Sequence, residues 1–241
     1  GSLEARQEYA QSLEYPAVFD VNTDIVEAVD EKTVDKNDIM MFQDAMPSTG
    51  NVKALVLMVE FSDVRNTDAG MTPESVKQKL FGKNNQNSKL DRSMADYYKT
   101  ASYGKLNLSG DVYGWYTLKN TRDYYANDAE YGYEEILNEV LKGYDDTIDY
   151  SDYDSDNDGV IDALYVVYAG KADSWGTFYW SCQTWAGEGQ IDTYDNTQVK
   201  KFVFEAANTN ETGDLNITST HETGLLLGLP DLYDRDGSRM T

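Results

Sequence analysis

The sequence contains one histidine, His221, and a glutamate follows it directly. In zinc peptidases, two histidines four residues apart on a helix bind the metal, and the glutamate after the first histidine polarises the metal-bound water. His221 and Glu222 match the first histidine and the glutamate of that pattern. The fourth residue after His221 is Leu225, whose side chain has no lone pair to give a metal. A His-Glu pair alone is weak evidence, because a lone histidine beside leucines is more often structural.

The residues that follow Leu225 strengthen the metal-site interpretation. Gly228 is suited to end a helix that carries His221, and Leu229-Pro230 turns the chain. Asp231 stands ten residues after His221, where the extended pattern HExxHxxGxx(H/D) has its third ligand. The spacing therefore predicts a zinc site formed by His221 and Asp231, with Glu222 as general base and with Leu225 in place of one ligand.

An acidic segment, DYDSDNDGVID at 152–162, has the spacing of a calcium-binding loop. Oxygen ligands on alternate residues of a tight loop converge on one hard cation, and a glycine permits the sharp turn. The candidate calcium ligands are Asp154, Asp156, Asp158, Val160 and Asp162. Tyr165 takes the position at which an EF-hand has a bidentate glutamate, so we expect a shorter DxDxDG-type structural Ca²⁺ site. The alternative is an acidic, solvated turn.

Two short apolar runs predict the strands that must position these residues. VKALVLMVEF at 52–61 is typical of a strand that is buried on both faces and lies at the centre of a sheet. ALYVVYA at 163–169 follows the acidic loop and predicts a second buried strand. The loop is therefore expected to lead directly into the core.

Three helices and a hairpin are predicted between and beside these strands. Thr72-Pro73 precedes an amphipathic stretch that Gly82 can end, and 93–101 and 134–141 also have helical spacing. The alternating sequence KLNLSGDVYGWYTL at 105–118 predicts a hairpin of antiparallel strands. The fold class expected from this order is α/β (α+β), a mixed twisted sheet with backing helices and an active-site helix.

Composition and charge exclude several classes of function. Twenty Lys and Arg against 43 Asp and Glu give a net charge of −23, which would repel nucleic acid and anionic lipid surfaces. The single cysteine, Cys182, cannot form an intramolecular disulfide. The sequence has no run of about 18 apolar residues, so we expect no membrane insertion. Oligomeric state leaves no signal in the sequence.

Four ordered blocks of the sequence resemble the catalytic domain of the immune inhibitor A-like family of secreted zinc metallopeptidases. The most specific block is HETGLLLGLPDLYD at 221–234, which is similar to the family's HExxHxLGLPDLYD. The other three are ALVLMVEFSD at 54–63, the block at 93–118 and SDNDGVIDALYVVYAG at 155–170. The resemblance covers about residues 50–234.

The resemblance implies a metzincin-like zinc peptidase domain and a role for each matched residue. His221 would be a zinc ligand, Glu222 the general base and Asp231 the third protein ligand, while Leu225 replaces the second zinc histidine. Catalytic zinc needs three protein ligands and a water, so zinc should bind weakly or not at all. Rescue of the site by Asp234, Asp236 or Glu222 is conceivable but disfavoured.

The resemblance also implies how the chain is divided. Residues 1–49 are expected to be an N-terminal extension or a pro-segment remnant, and residues 50–241 the peptidase domain. Metzincin-type sites rest on a downstream methionine turn and a C-terminal subdomain, whereas the sequence ends ten residues after Asp231. We therefore expect that subdomain to be absent, with Met240 too close to Asp231 to supply the turn.

Two functions remain open on the sequence. The first is that of a secreted or cell-surface zinc endopeptidase that cleaves protein or peptide substrates, inactive as written because of Leu225. The alternative is a pseudopeptidase that acts as a calcium-stabilised extracellular peptide- or glycan-binding module. Exposed Tyr and Trp side chains such as Trp175, Trp180 and Trp185 could serve as its contacts, although most of them are expected to be core and sheet-edge residues. Leu225 is either a natural loss or an engineered change.

Overall fold

The computed structural model describes residues 45–83, 92–127, 131–174, 176–186, 191–208 and 214–229. Pairs of helices separate the first three strands, and five consecutive strands then precede the last helix, which gives a mixed α/β fold. A short 3₁₀ helix, Tyr150–Tyr153, precedes the acidic loop. The elements in chain order are β1 Gly50–Glu60, α1 Pro73–Phe81, α2 Met94–Ala101, β2 Leu106–Thr117, α3 Arg122–Asn127, α4 Gly132–Tyr144, β3 Leu164–Lys171, β4 Cys182–Trp185, β5 Ile191–Asp192, β6 Gln198–Val199, β7 Lys201–Asn208 and α5 Leu215–Leu226.

Five of the strands form one mixed sheet in the order β2-β1-β3-β7-β4. The first four strands in that order run parallel, and β4 pairs antiparallel with β7 at the edge. Strands β5 and β6 form a separate two-stranded sheet. The predicted mixed sheet is therefore confirmed, with one antiparallel edge strand.

The strand predicted from the apolar run at 52–61 is β1, and it lies inside the sheet as expected. β1 pairs with β2 on one side and with β3 on the other. Its residues from Ala54 to Val59 are all buried, because side chains on both faces of an internal strand meet packed helices or loops. The predicted strand at 163–169 is also confirmed as β3.

The antiparallel hairpin predicted at 105–118 is wrong. These residues form the single strand β2, which pairs in parallel with β1 along most of its length. Gly110 lies within the strand, where a Cβ would stand 2.5 Å from the Phe81 ring of α1. The glycine therefore allows a helix to pack closely on the sheet and does not reverse the chain.

Helices cover both faces of the main sheet, and each face has its own hydrophobic core. Helix α4 packs on one face with Ile136, Leu137 and Val140. On the opposite face lie α1, α2 and α5, and their buried side chains are Val76, Leu80, Met94, Tyr98, Leu215 and Leu226. Odd-numbered residues of β1 such as Leu55 face the first core and even-numbered ones face the second, as the two-residue period of a strand requires.

The cap predicted at Thr72 is present, and Ser93, predicted as the first residue of the second helix, is the N-cap of α2. The Thr72 hydroxyl accepts a hydrogen bond from the Ser75 N–H, and the Ser75 side chain in turn accepts one from the Thr72 N–H. The Ser93 hydroxyl accepts from the Asp96 N–H in the same way at the start of α2. These contacts satisfy N–H groups that lack a partner inside the helix.

Candidate functional site

Helix α5 carries His221 and Glu222 and ends in a Schellman motif. The Leu229 N–H donates to the Gly224 carbonyl oxygen at 2.9 Å, and the Gly228 N–H donates to the Leu225 carbonyl oxygen at 3.0 Å. Gly228 has φ of +82°, the left-handed conformation that this motif requires and that glycine adopts without strain. The helix therefore continues through position 225 before it stops.

Because α5 is helical from Leu215 to Leu226, residues 221 and 225 lie on the same face, one turn apart. His221 is exposed and Leu225 is half-buried. The described part of this helix thus offers one imidazole and one alkyl side chain where a zinc site has two imidazoles. Asp231 lies outside the described residues, as do Asp234, Asp236 and Met240. The described residues do not fit a three-ligand zinc centre.

The Glu222 side chain is buried and tied to the edge of the sheet. Its residue exposure is 5%, and its Oε2 accepts a hydrogen bond of 2.6 Å from the backbone N–H of Gln183 on β4. Such a charge-assisted bond is stronger than a neutral one. The residue predicted as general base therefore also holds α5 against the antiparallel edge strand.

A cleft of about 360 Å³ lies beside His221 and Glu222. One wall is α5, and the other is formed by the chain between β3 and β4. The lining residues are Ala172, Trp180, Ser181, Ile217, Thr218, His221 and Glu222. His221 and Glu222, the two residues of the predicted zinc site that the structure describes, therefore face one concave surface.

Cys182, the residue before Gln183, does not supply a nucleophile to this cleft. Burial raises the pKa of its thiol to about 11, and the nearby negative charge of Glu222 acts in the same direction. A thiol with that pKa is un-ionised at neutral pH, whereas the thiolate is the reactive form. The arrangement does not support cysteine-dependent hydrolysis.

Buried polar contacts join α5 to the sheet below it. The Tyr165 and Thr223 hydroxyls are 2.7 Å apart, and the Ser219 hydroxyl lies 2.8 Å from Oε1 of Glu205 on β7. Sequence reasoning missed Gln183 and Glu205, which both contact the site helix. A signal for Glu205 existed, since it is the one charged residue within the apolar run FVFEAA at 202–207.

The acidic loop brings together three of its predicted ligands. Carboxylate oxygens of Asp154, Asp156 and Asp162 all lie within 4.8 Å of one another. The group does not include Asp158, whose Oδ1 accepts a hydrogen bond of 2.8 Å from the Val160 N–H. These distances suit oxygen ligands that converge on one divalent cation.

The backbone of the loop is turned by Gly159, which has φ of +87°. The Gly159 N–H donates to Oδ2 of Asp154, and the Ser155 N–H donates to Oδ2 of Asp162. The Ile161 N–H then donates to the Gln198 carbonyl oxygen, which joins the end of the loop to the small sheet. The loop has defined contacts at both ends.

Burial and neighbouring charge raise the pKa of two loop carboxyls. Burial raises the pKa of Asp162 to about 6, and Asp154 and Asp156 add to this effect, whereas the Ser155 hydrogen bonds oppose it. Burial likewise raises the pKa of Asp158. A bound cation would relieve the repulsion within such a group of carboxylates.

Trp180 and Trp185, suggested as exposed contacts, are both half-buried. Trp180 lines the cleft. The Lys201 ammonium group lies over the ring of Trp185, 4.5 Å from its centroid, in a cation–π contact. Trp175 lies outside the described residues. Of these tryptophans, Trp180 has the position to contact a bound ligand.

In the part of the chain that the structure describes, no helix is both long and apolar enough to cross a membrane.

No family model matches the chain. Comparison with curated proteins finds similarity to Immune inhibitor A of Bacillus thuringiensis subsp. alesti, with 25% identity over an alignment of 233 residues. The alignment covers 76% of this chain and 34% of that relative, so the chain spans about a third of the relative's length.

Proposed function

We propose that the chain carries a degenerate metallopeptidase domain of the immune inhibitor A-like, metzincin-related type. The observation that carries this proposal is the placement of His221 and Glu222 on one capped helix beside a cleft. The similarity to Immune inhibitor A, a metallopeptidase, also supports it. The intact site would hydrolyse peptide bonds, and the substrate class is protein or peptide.

The unaltered chain should not hydrolyse peptides, because its zinc site lacks a ligand. A zinc centre needs three protein ligands to hold and orient its water, and Leu225 occupies the position of one of them. Asp231 is proposed as the third ligand, which leaves His221 and one carboxylate. Two such ligands should bind zinc weakly.

Replacing the missing ligand tests this proposal. In the full-length protein, we expect Leu225→His to bind zinc stoichiometrically by elemental analysis and to gain chelator-sensitive cleavage of fluorescein-labelled casein. Leu225→Ala is the matched control and should do neither. Circular dichroism melting of both variants shows whether they fold, and a folded Leu225→His variant without zinc would overturn the assignment of the site.

Retention of the cleft without a complete zinc site favours a second candidate, a non-catalytic module that binds peptides or glycans. The Glu222 carboxylate accepts a hydrogen bond from the Gln183 N–H, and Trp180 lines the cleft. Saturable binding of casein peptides to the unaltered chain, unchanged by a chelator and weakened by Trp180→Ala, would support this candidate. This candidate is rejected if the unaltered chain shows no saturable binding to peptides or to the glycans of an array.

We further propose that the acidic loop binds Ca²⁺ as a structural ion. Asp154, Asp156 and Asp162 supply the converging carboxylates, and Asp158 and Val160 are the remaining candidates in the loop. The ion would fix the loop that leads into β3. An acidic, solvated turn remains the competing interpretation, and a calcium titration distinguishes the two.

The domain boundary, location and partners follow the same proposal. Residues 50–241 are assigned to the peptidase-like domain and residues 1–49 to an extension or pro-segment remnant. Met46, within the proposed extension, is buried, and its N–H donates to the Leu226 carbonyl oxygen at 2.9 Å. A secreted or cell-surface location accords with the family, and the net charge of −23 disfavours nucleic acid as a partner.

A further inference from the structure

Glu205 is a fully buried acid that lies directly beneath the site helix. It belongs to β7, where its side chain points to the same face as Val203 and Ala207, both members of the apolar core under α5. Its exposure is 0%. A carboxyl group in this apolar row lowers stability unless it is neutral or well paired, so its presence calls for a specific role.

The Glu205 carboxyl contacts α5 through Ser219. The Ser219 hydroxyl oxygen lies 2.8 Å from Oε1 of Glu205 and 2.9 Å from the Leu215 carbonyl oxygen, and it is within donating distance of both. A hydroxyl has one proton and can donate to only one of them at a time. Both contacts are satisfied together if Glu205 is protonated and donates to Ser219, which then donates to Leu215.

The surroundings of Glu205 also favour the neutral acid. Among the described residues its Oε2 has no hydrogen-bond partner, and the titratable groups that face it are Glu222 on α5 and the Tyr165 hydroxyl on β3. The pKa of Glu205 is raised to about 8, chiefly by burial and also by the charge of Glu222, whereas a hydrogen bond donated by Ser219 acts in the opposite direction. An ionised Glu205 would place two carboxylates on the same side of α5.

We propose that Glu205 is a positioning residue that, as a neutral carboxylic acid, fixes α5 on the sheet through Ser219 and so sets the place of His221 and Glu222. The role given to Glu205 rests on the proposed function, since it takes His221 and Glu222 as the site. Ser219 lies two and three residues before them on the same helix. A shift of Ser219 would therefore move both side chains.

The sign of the pH dependence follows from the raised pKa. Glu205 holds its proton in the folded chain to higher pH than in the unfolded chain, so its contribution is fully present below about pH 4.5. It is lost as pH rises toward about 8. One proton of difference changes the unfolding equilibrium constant by about tenfold per pH unit, so unfolding should become more favourable across this window.

The test compares the unaltered chain with Glu205→Gln, which has nearly the same shape and cannot ionise. We expect the infrared spectrum of the unaltered chain at pH 6 to contain a carboxylic-acid carbonyl band that Glu205→Gln lacks. Denaturant unfolding from pH 6 to pH 8 should show a fall in stability that is reduced in Glu205→Gln. Ser219→Ala should retain the pH-dependent fall, because it keeps the acid.

A local readout separates positioning from general stability. The Gln183 N–H donates a hydrogen bond to Glu222. Its hydrogen exchange should accelerate several-fold between pH 6 and pH 8.5 after correction for intrinsic exchange, whereas exchange at the amides of β1 should not accelerate. In Glu205→Gln this local change should disappear. Identical pH profiles for the two proteins, or equal acceleration at β1, would overturn the proposal. None of these readouts requires zinc or cleavage, so they are independent of the Leu225→His test.

Discussion

The Glu222 carboxylate on α5 accepts a 2.6 Å hydrogen bond from the backbone N–H of Gln183 on β4. This contact joins the helix of the candidate site to β4, which among the described strands of the main sheet is the one that runs antiparallel. A carboxylate that holds an edge strand contributes to folding whether or not it also acts as a base. The contact gives Glu222 a structural role that does not depend on a metal.

Substitution of Glu222 should therefore affect stability in the metal-free chain. We expect Glu222→Ala to destabilise the protein by about 1–3 kcal/mol, because the N–H of the half-buried Gln183 loses its acceptor. Glu222→Gln should lose less, since its amide oxygen can still accept. Denaturant unfolding with a chelator present measures both variants. Equal stability of the alanine variant and the unaltered chain would contradict the structural role.

Calcium should raise the melting temperature of the unaltered chain. A ligand that binds only the folded state at a hundred times its Kd stabilises by about 2.7 kcal/mol, and Asp154, Asp156 and Asp162 provide the converging oxygens. Thermal melting with and without Ca²⁺ measures the shift, which Asp156→Ala should abolish.

A neighbouring acid outside this group provides the control for calcium binding. Asp152 is exposed and pairs with Lys53, so Asp152→Asn should keep the calcium-dependent shift. An identical loss of the shift in both variants would indicate nonspecific screening of the acidic surface. The absence of any shift in the unaltered chain would favour the solvated turn.

Replacement of Gly224 with alanine should stabilise the site helix. Gly224 lies in the interior of α5, and an added Cβ would stand 3.4 Å from the Tyr98 hydroxyl and 3.6 Å from Leu229, which are ordinary contacts. Alanine in a helix interior is favoured over glycine by roughly 0.5–1 kcal/mol. Equilibrium unfolding should show a gain of this size.

The matched control is the glycine that begins α4. A Cβ on Gly132 would stand 2.1 Å from the Tyr125 carbonyl oxygen, so Gly132→Ala should destabilise the protein. A loss of stability in both variants would mean that α5 is more tightly packed than its contacts indicate.

Much of the fold was predictable where a local signal coincides with the tertiary arrangement. The apolar run of β1 predicts a strand buried on both faces, and Thr72 with Pro73 predicts the start of α1. The alternation at 105–118 is equally compatible with a hairpin and with the single parallel strand β2, so it does not predict which of them forms. Only the packing of Phe81 against Gly110 distinguishes them.

The site was predictable where it depends on spacing within one element. Helical periodicity places positions 221 and 225 on one face, and Gly228 marks the end of the helix. The bond from Gln183 to Glu222 depends on how β4 meets α5, which are far apart in sequence, so no local pattern contains it. The partner of Glu205 is hidden in the same way, although an acid between the apolar residues Phe204 and Ala206 is visible in the sequence.

The position of β1 between β2 and β3 has a consequence for the order in which the molecule forms. Leu55 pairs with Asp111 on one side and with Leu164 on the other. Formation of the sheet therefore brings together strands that are separated by long segments of the chain, and such distant contacts slow folding. During synthesis, α5 leaves the ribosome after every strand of that sheet. The helix with His221 and Glu222 should therefore dock late, and folding intermediates would expose the apolar surface beneath it.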